Sequence, residues 1–255
     1  MLINQQKYLI NIKTSRRYWW CFFLIPSFLI NIGSIAIIDG NGFIAADGSI
    51  GRGYNRRQLS IAISWRDVRH LQKFRDLICP DKPIRRYFKG EQSTAKLVIN
   101  SPVVISDLDT IYNITSGKSL TLLPPNITDR ELILSYIVGY IDGDGNIRPQ
   151  RGGIRITATL QMAEWVKEII DRYSPKVVPA IPVQDKRCAK RGTHNVYSYS
   201  FGMGRAMGLT DCIQKYNLPV LERKWCTLNA KWECAYPFIT HCRHSILANA
   251  IGEWT

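Results

Sequence analysis

The phrase GFIAADGSIG at 42–51 returns in altered form as GYIDGDGNIR at 139–148. Superposing Asp47 on Asp144, a shift of 97 residues, sets Gly42 on Gly139, Ile44 on Ile141, Gly48 on Gly145 and Ile50 on Ile147. The same shift, carried on without a gap, lays LSIAISW (59–65) over ITATLQM (156–162). Leu59, Ile61, Ile63 and Trp65 then keep phase with Ile156, Ala158, Leu160 and Met162, the period of a half-buried strand. Beyond them DVRHLQKFRDLI (67–78) falls on EWVKEIIDRY (164–173), both patterned as amphipathic helices. Such a chain is constrained to fold as two copies of one unit. A rival register lays SIAIIDGNG (34–42) on the second phrase and puts Asn41 opposite Asp144, but it needs six extra residues before the strand and breaks the alternation.

Each copy reads as helix, strand hairpin, helix, hairpin, helix. RRYFKGEQSTAKLVIN (85–100) and QDKRCAKRGTHNVYSYSF (184–201) are expected to be basic hairpins, and DLDTIYNI parallels LTDCIQKYNL as a closing helix. SGKSLTLLPPNITD joins the copies, with Pro124-Pro125 as a stop, and Thr128 with Glu131 fits a capping box at the start of the second. The chain therefore divides into an N-terminal hydrophobic extension (1–35), a first repeat (36–115), a linker (116–129), a second repeat (130–230) and a C-terminal tail (231–255).

With 34 Lys plus Arg against 20 Asp plus Glu, the formal net charge is +14, which favours a polyanionic partner. The seven cysteines are scattered without a CxxC pair, and Cys234, Cys242 and His244 lack zinc-ligand spacing. Reduced, mostly buried thiols in an intracellular or organellar protein are expected; heavy isoleucine use points the same way, to an AT-rich organellar gene in a chloroplast or mitochondrion. Residues 18–38 carry no charge and are long enough to span a bilayer, yet Pro26, Ser27, Asn31, Gly33 and Ser34 interrupt them. A membrane span is the lesser reading, beside a buried helix or an extension translated from upstream sequence.

YIVGYIDGDG (136–145), with GNGFIAADG (40–48) as a divergent first copy, resembles the motif of the LAGLIDADG homing endonucleases in their single-chain, two-motif form. The resemblance covers roughly residues 36–230, and LPVLERKW (218–225) is similar to the segment by which many members enter their final helices. It implies an α/β (α+β) fold of two pseudo-symmetric αββαββα repeats, with antiparallel sheets forming a saddle over DNA around two packed motif helices. It implies a monomeric, site-specific endonuclease that hydrolyses double-stranded DNA with Mg²⁺ or another divalent cation. Asp47 and Asp144 would be the catalytic metal ligands, and Gly42 and Gly139 would let the helices approach. Two carboxylates at the negative ends of two helix dipoles are unfavourable without cations, and hard divalent ions with oxygen ligands supply that charge. Asp142, whose counterpart is Ala45, need not bind metal.

Alternation assigns the DNA-facing residues. In the first copy they are Gln58, Ser60 and Ser64 (with Ala62 between), Arg52, Arg56 and Arg57 at the hairpin, and Arg85 and Arg86. In the second they are Arg148, Arg151, Arg155, Thr157, Thr159 and Gln161, with Lys186, Arg187 and Lys190 on the later hairpin. Arg and Gln read base edges, and other cations meet phosphates. The pattern departs from the family where polar residues near the metal network are usual: those positions fall on Trp65 and Met162. Lys89, Lys96, Lys186 and Lys190 are candidates to polarise the phosphate. Gly40 and Asn41 make the first motif irregular, and with Gly42 they weaken that helix by about 2 kcal/mol relative to alanines. A non-cleaving relative, an intron-splicing maturase that binds RNA or a nucleic-acid-binding protein, is the alternative function.

Overall fold

A computed structural model describes residues 35–51, 58–148, 153–173, 180–215, 218 and 220–229. The first repeat runs α1 (Ile35–Asp47), β1 (Gly48–Ile50), β2 (Gln58–Ser64), α2 (Val68–Ile78), β3 (Arg85–Lys89), β4 (Gln92–Asn100) and α3 (Pro102–Thr110). The second runs α4 (Arg130–Asp144), β5 (Asn146–Arg148), β6 (Gly153–Ala158), α5 (Leu160–Tyr173), β7 (Val183–Gln184), α6 (Lys186–Lys190), β8 (Tyr197–Gly202) and α7 (Met203–Lys215). A last helix, α8 (Glu222–Asn229), follows. The strands form two four-stranded antiparallel sheets in the same order, β1-β2-β4-β3 and β5-β6-β8-β7. The second basic hairpin differs from expectation: Asp185 caps the short helix α6, which stands between β7 and β8.

Each sheet buries one face. Leu59, Ile61 and Ile63 of β2 and Ala95, Leu97 and Ile99 of β4 pack on Leu71, Phe74 and Ile78 of α2, while Ile154 and Ile156 of β6 and Tyr199 and Phe201 of β8 meet Val166, Ile169 and Ile170 of α5. Burial at this density supplies most of the stabilisation, at about 25 cal/mol per Å² of apolar surface. The linker docks on the second repeat: Asn195 Nδ2 donates to Leu120 O at 2.7 Å and Thr159 Oγ1 to Leu122 O at 2.5 Å.

Four expectations need correction. The cap of α4 is Asp129, whose Oδ1 accepts from Glu131 N at 2.9 Å and Leu132 N at 3.0 Å, in place of Thr128. Leu160 and Met162 lie in helix α5, not in a strand. The ungapped register also fails after the motif: Ile50 pairs with Leu59 around eight residues (51–58), but Ile147 pairs with Ile154 around only six (148–153). The counterpart of β2 in the second repeat is therefore offset by 95 residues, so that Leu59 matches Ile154, Ser60 matches Arg155 and Trp65 matches Leu160. Finally, Cys79 and Cys188 are free, as reduced thiols should be, but Cys226 is in a disulfide. Among the described residues no helix is long and apolar enough to cross a membrane; residues 18–34 of the uncharged stretch lie outside them.

Candidate active site and nucleic-acid face

Helices α1 and α4 meet backbone to backbone. A Cβ added to Gly42 would stand 2.0 Å from Tyr136 O, and one added to Gly143 would stand 2.3 Å from the Cβ of Ala46. Ala46 and Gly143 are counterparts under the 97-residue shift, so this contact lies on the pseudo-twofold axis. Gly139 is buried within α4. The irregular first motif also has a reason: a Cβ on Gly40 would stand 2.3 Å from the ring of Phe74, so glycine there admits α2. Asn41, the residue of the rival register, is fully buried in mid-helix.

The residues immediately after the axis contact are Asp47 and Asp144, the last of their helices. Both keep a solvent-facing side while protein crowds the other. Burial raises the pKa of Asp47. Asp144 is pushed up to about 6, first by burial and then by the charge of Asp47. Like charges have been brought together at the negative poles of two helices.

Two lysines that alternation could not single out answer this. Lys118, 7% exposed, donates from Nζ to Ala45 O at 2.6 Å and Ala46 O at 2.5 Å. Lys224 donates to Ile141 O at 3.1 Å, Gly143 O at 2.7 Å and Gly145 O at 2.9 Å. Each ammonium thus caps the carbonyl end of one motif helix, and both oppose the upward shift of the two aspartates. The cations that act on the carboxylates are these, and not Lys89, Lys96, Lys186 or Lys190. Burial lowers the pKa of both lysines. Lys118 came from the linker and carried no sequence signal; Lys224 sits inside LPVLERKW, where that segment could have drawn attention to it.

Asp142 does something else. It is buried, and accepts from Leu221 N at 2.6 Å and Trp225 Nε1 at 2.7 Å, so it anchors α8 to α4. Burial pushes its pKa up to about 7 against those two donors and Lys224. Arg223 completes the bolt by donating to Asp67 of the first repeat at 3.0 and 2.8 Å. The first repeat has buried Ala45 at this position, where the neighbouring segment is held through Lys118 and the carbonyl of Ala45 instead. Asp142→Ala should cost about 3 kcal/mol, since two buried donors lose their acceptor, and should unseat Lys224 with α8. Denaturant melts and proteolysis after residue 221 check this; Asp142→Asn should lose less.

Among the described residues no group of three or more His, Cys, Asp or Glu could hold a metal ion. The donor set at the axis is two carboxylates, since the neighbouring carbonyls of Ala46 and Gly143 accept from Lys118 and Lys224. It fits Mg²⁺, which is held by one or two carboxylates together with water and substrate phosphates.

No protein-family model and no curated protein sequence matches this chain. Among solved structures, meganuclease I-SmaMI bound to uncleaveable DNA is similar at 12% identity and TM-score 0.50, covering 82% of this chain and 95% of that one. Full-length DUF199/WhiA from Thermatoga maritima gives 12% identity and TM-score 0.48, over 86% of this chain and 68% of that chain. Mesophilic variants of the homing endonuclease I-DmoI give 12% and 0.48, over 82% and 98%. The chain has the two-repeat LAGLIDADG fold.

Within that fold the outer sheet faces can be read from register and burial. Gln58, Ser60 and Ser64 alternate with the buried residues of β2, and Ala62 pairs with Lys96 of β4 on the same face, where Arg85 of β3 joins them. In the second LAGLIDADG repeat Asn146, Arg148, Arg155, Thr157, Ser198 and Ser200 share the outer face. Lys186, Arg187 and Lys190 are exposed on α6. Arg52, Arg56, Arg57 and Arg151 lie outside the described residues.

Three assigned residues do not face this way. Thr159 is 1% exposed, and its hydroxyl accepts from Met162 N at 3.3 Å at the start of α5. Gln161 belongs to helix α5, because the strand stops at Ala158. Arg86 pairs with Ala95 and so points to the opposite face of the sheet, stacked 4.5 Å from the ring of Trp65 and 4.8 Å from that of Phe88. Trp65 is thereby a packing residue, and buried Met162 is not its counterpart.

Proposed function

We propose that this chain is a site-specific endonuclease that hydrolyses both strands of a long double-stranded DNA target, with a divalent cation such as Mg²⁺, as a monomer. One observation carries the reading: two helix-terminal carboxylates, Asp47 and Asp144, share one axis with two ammoniums held by helix carbonyls, buried Lys118 and half-buried Lys224. A bound divalent ion would activate water and stabilise the leaving oxygen. Asp47 and Asp144 would hold it. Lys118 and Lys224, fixed by helix carbonyls, present positive charge where negative charge grows on the phosphate. The basic outer sheet faces flank this centre, and meganuclease I-SmaMI, which is bound to uncleaveable DNA in its structure, has the same fold. Both motif helices belong to one chain, so the paired site needs no second copy; sedimentation at micromolar concentration should give a monomer.

The test is cleavage by the purified chain, with Mg²⁺, of total DNA from a relative that lacks this gene, with the ends mapped by sequencing. Discrete double-strand ends are expected. Salt-dependent DNA binding without cleavage would overturn the endonuclease and favour a binding or splicing role, with intron RNA as the next substrate.

Lysine substitutions probe the two halves separately. Lys224→Met should slow cleavage of one strand by about 100-fold, and Lys118→Met that of the other. Nicked plasmid should accumulate in each case, whereas equal loss on both strands would reject a one-to-one assignment.

A further inference from the structure

We infer that Arg148 and Arg155 each contact a guanine of the target, at strand positions where the first sheet carries Gly51 and Ser60 instead, so that these two base contacts belong to one half-site. The inference rests on the DNA-binding reading above. The 97-residue offset relates Gly51 to Arg148, and the 95-residue offset after the shortened hairpin relates Ser60 to Arg155. The backbone agrees: Gly51 N donates to Gln58 O at 2.9 Å, the position where Arg148 pairs with Gly153. The first sheet has a hydrogen or a hydroxymethyl where the second has two guanidinium groups.

Those groups are prepared for base edges. Arg155 stands on β6, an interior strand of its sheet, and is half-buried. Its Nη2 donates to Ser198 Oγ at 2.6 Å, which spends one N–H of the fork and fixes its plane. Arg148 Nη2 lies 3.4 Å from Ser200 Oγ, and its Nε is buried without a partner. Neither arginine meets a carboxylate among the described residues, and their face carries Asn146, Thr157, Ser198, Ser200, Gly153 and Gly202, with no acid. Two like charges held on small hydroxyl and glycine neighbours leave an acceptor pair wanting. Guanine O6 and N7 supply it in the major groove. A diagonal cross-strand pair separates its residues by about 7 Å, which matches about two base steps of 3.4 Å. The two G·C pairs should therefore fall within a run of about three. A tethered interior arginine is also poorly placed for phosphates, which lie at the groove edges; Arg85, Lys89 and the α6 cations at the sheet margins are better placed.

The experiment is selection of bound sites from a random double-stranded DNA library, with the full chain and Ca²⁺ in place of Mg²⁺. Wild type should return a non-palindromic site with two G·C pairs in one half. Arg155→Ser should erase one of them, with about a 10- to 100-fold loss on the selected site and little change on random DNA. Ser60→Arg, which adds a side chain to an outer face, should create a G·C preference in the other half, and it keeps the inference testable should Arg155→Ser unfold; melting curves accompany both variants. If Arg155→Ser weakens every sequence alike and lowers the salt slope by about one, the contact is to phosphate and the inference fails alone. If wild type binds but selects no site, or does not bind, the DNA reading fails with it.

Discussion

Asp144→Asn should abolish cleavage, by about 10³-fold or more, and should at the same time make the metal-free protein more stable. The two effects have one cause. Asp144 sits at the negative end of α4, crowded by protein and by Asp47, and its pKa is pushed up to about 6 from 3.8. An acid whose pKa is higher folded than unfolded binds extra protons in the folded state between those two values. Stability then rises as pH falls from about 7 towards 4, and the ionised carboxylate is a net cost above pH 6. Asparagine removes that cost and the ligand together. The melting temperature of the variant should exceed that of wild type at pH 7.5 without metal, and the difference should vanish by pH 4. Mg²⁺ should raise the wild-type melting temperature and leave the variant nearly unmoved. A misfolded variant would show loss of activity with loss of stability. An Asn variant that melts below wild type at pH 7.5 would mean that the carboxylate is a structural cap, and that the site has been misread.

How much of this was legible in the sequence depended on whether the physics was periodic. The motif repeat exposed the two helices, and alternation exposed the buried faces of β2 and β6, because side chains in a strand change face with every residue. The same property hid the two-residue deletion in the second hairpin. A shift of two preserves phase, so Leu59 over Ile156 looked as good as Leu59 over Ile154, and only the paired register separates them. Gln161 falls to this offset, and Thr159, which matches Ser64, falls to a strand that ends one residue sooner, at Ala158. Arg86 was misplaced for a related reason: the pattern of an edge strand exposed along its whole length carries no inside and outside. Lys118 and Lys224 could not have been found by period, because each comes from outside the repeated elements to reach the carbonyl end of a motif helix. Asp142 was readable only in part. Its counterpart Ala45 showed that metal binding does not need it, but its bonds to Leu221 and Trp225 join residues about 80 apart in sequence.

Gly42→Ala should cost about 2 kcal/mol, and should damage cleavage beyond that. The added Cβ would lie 2.0 Å from Tyr136 O, 2.8 Å from Tyr136 C and 2.9 Å from Tyr140 N. All three atoms are helix backbone, so no rotamer can relieve the contact and the two motif helices must part. Overpacking of this kind usually costs about 1–3 kcal/mol, with backbone against backbone at the upper end, and alanine returns only about 1 kcal/mol in helix propensity. For a chain of this size the net loss corresponds to a fall of roughly 4–8 °C in melting temperature. Parting the helices also separates Asp47 from Asp144, and a misplacement of about 1 Å at a reacting centre costs about 100-fold in rate. Gly40→Ala supplies the contrast: the atoms nearest its Cβ would be those of the Phe74 ring, at 2.3 Å, a side chain of α2 and not the backbone of α4. That variant should lose stability while the surviving folded protein cleaves normally. Cleavage per folded molecule, measured well below each melting temperature, therefore separates the two glycines. Equal cleavage by both would mean that the spacing of the motif helices does not set the spacing of the carboxylates, and the paired site would lose its geometric basis.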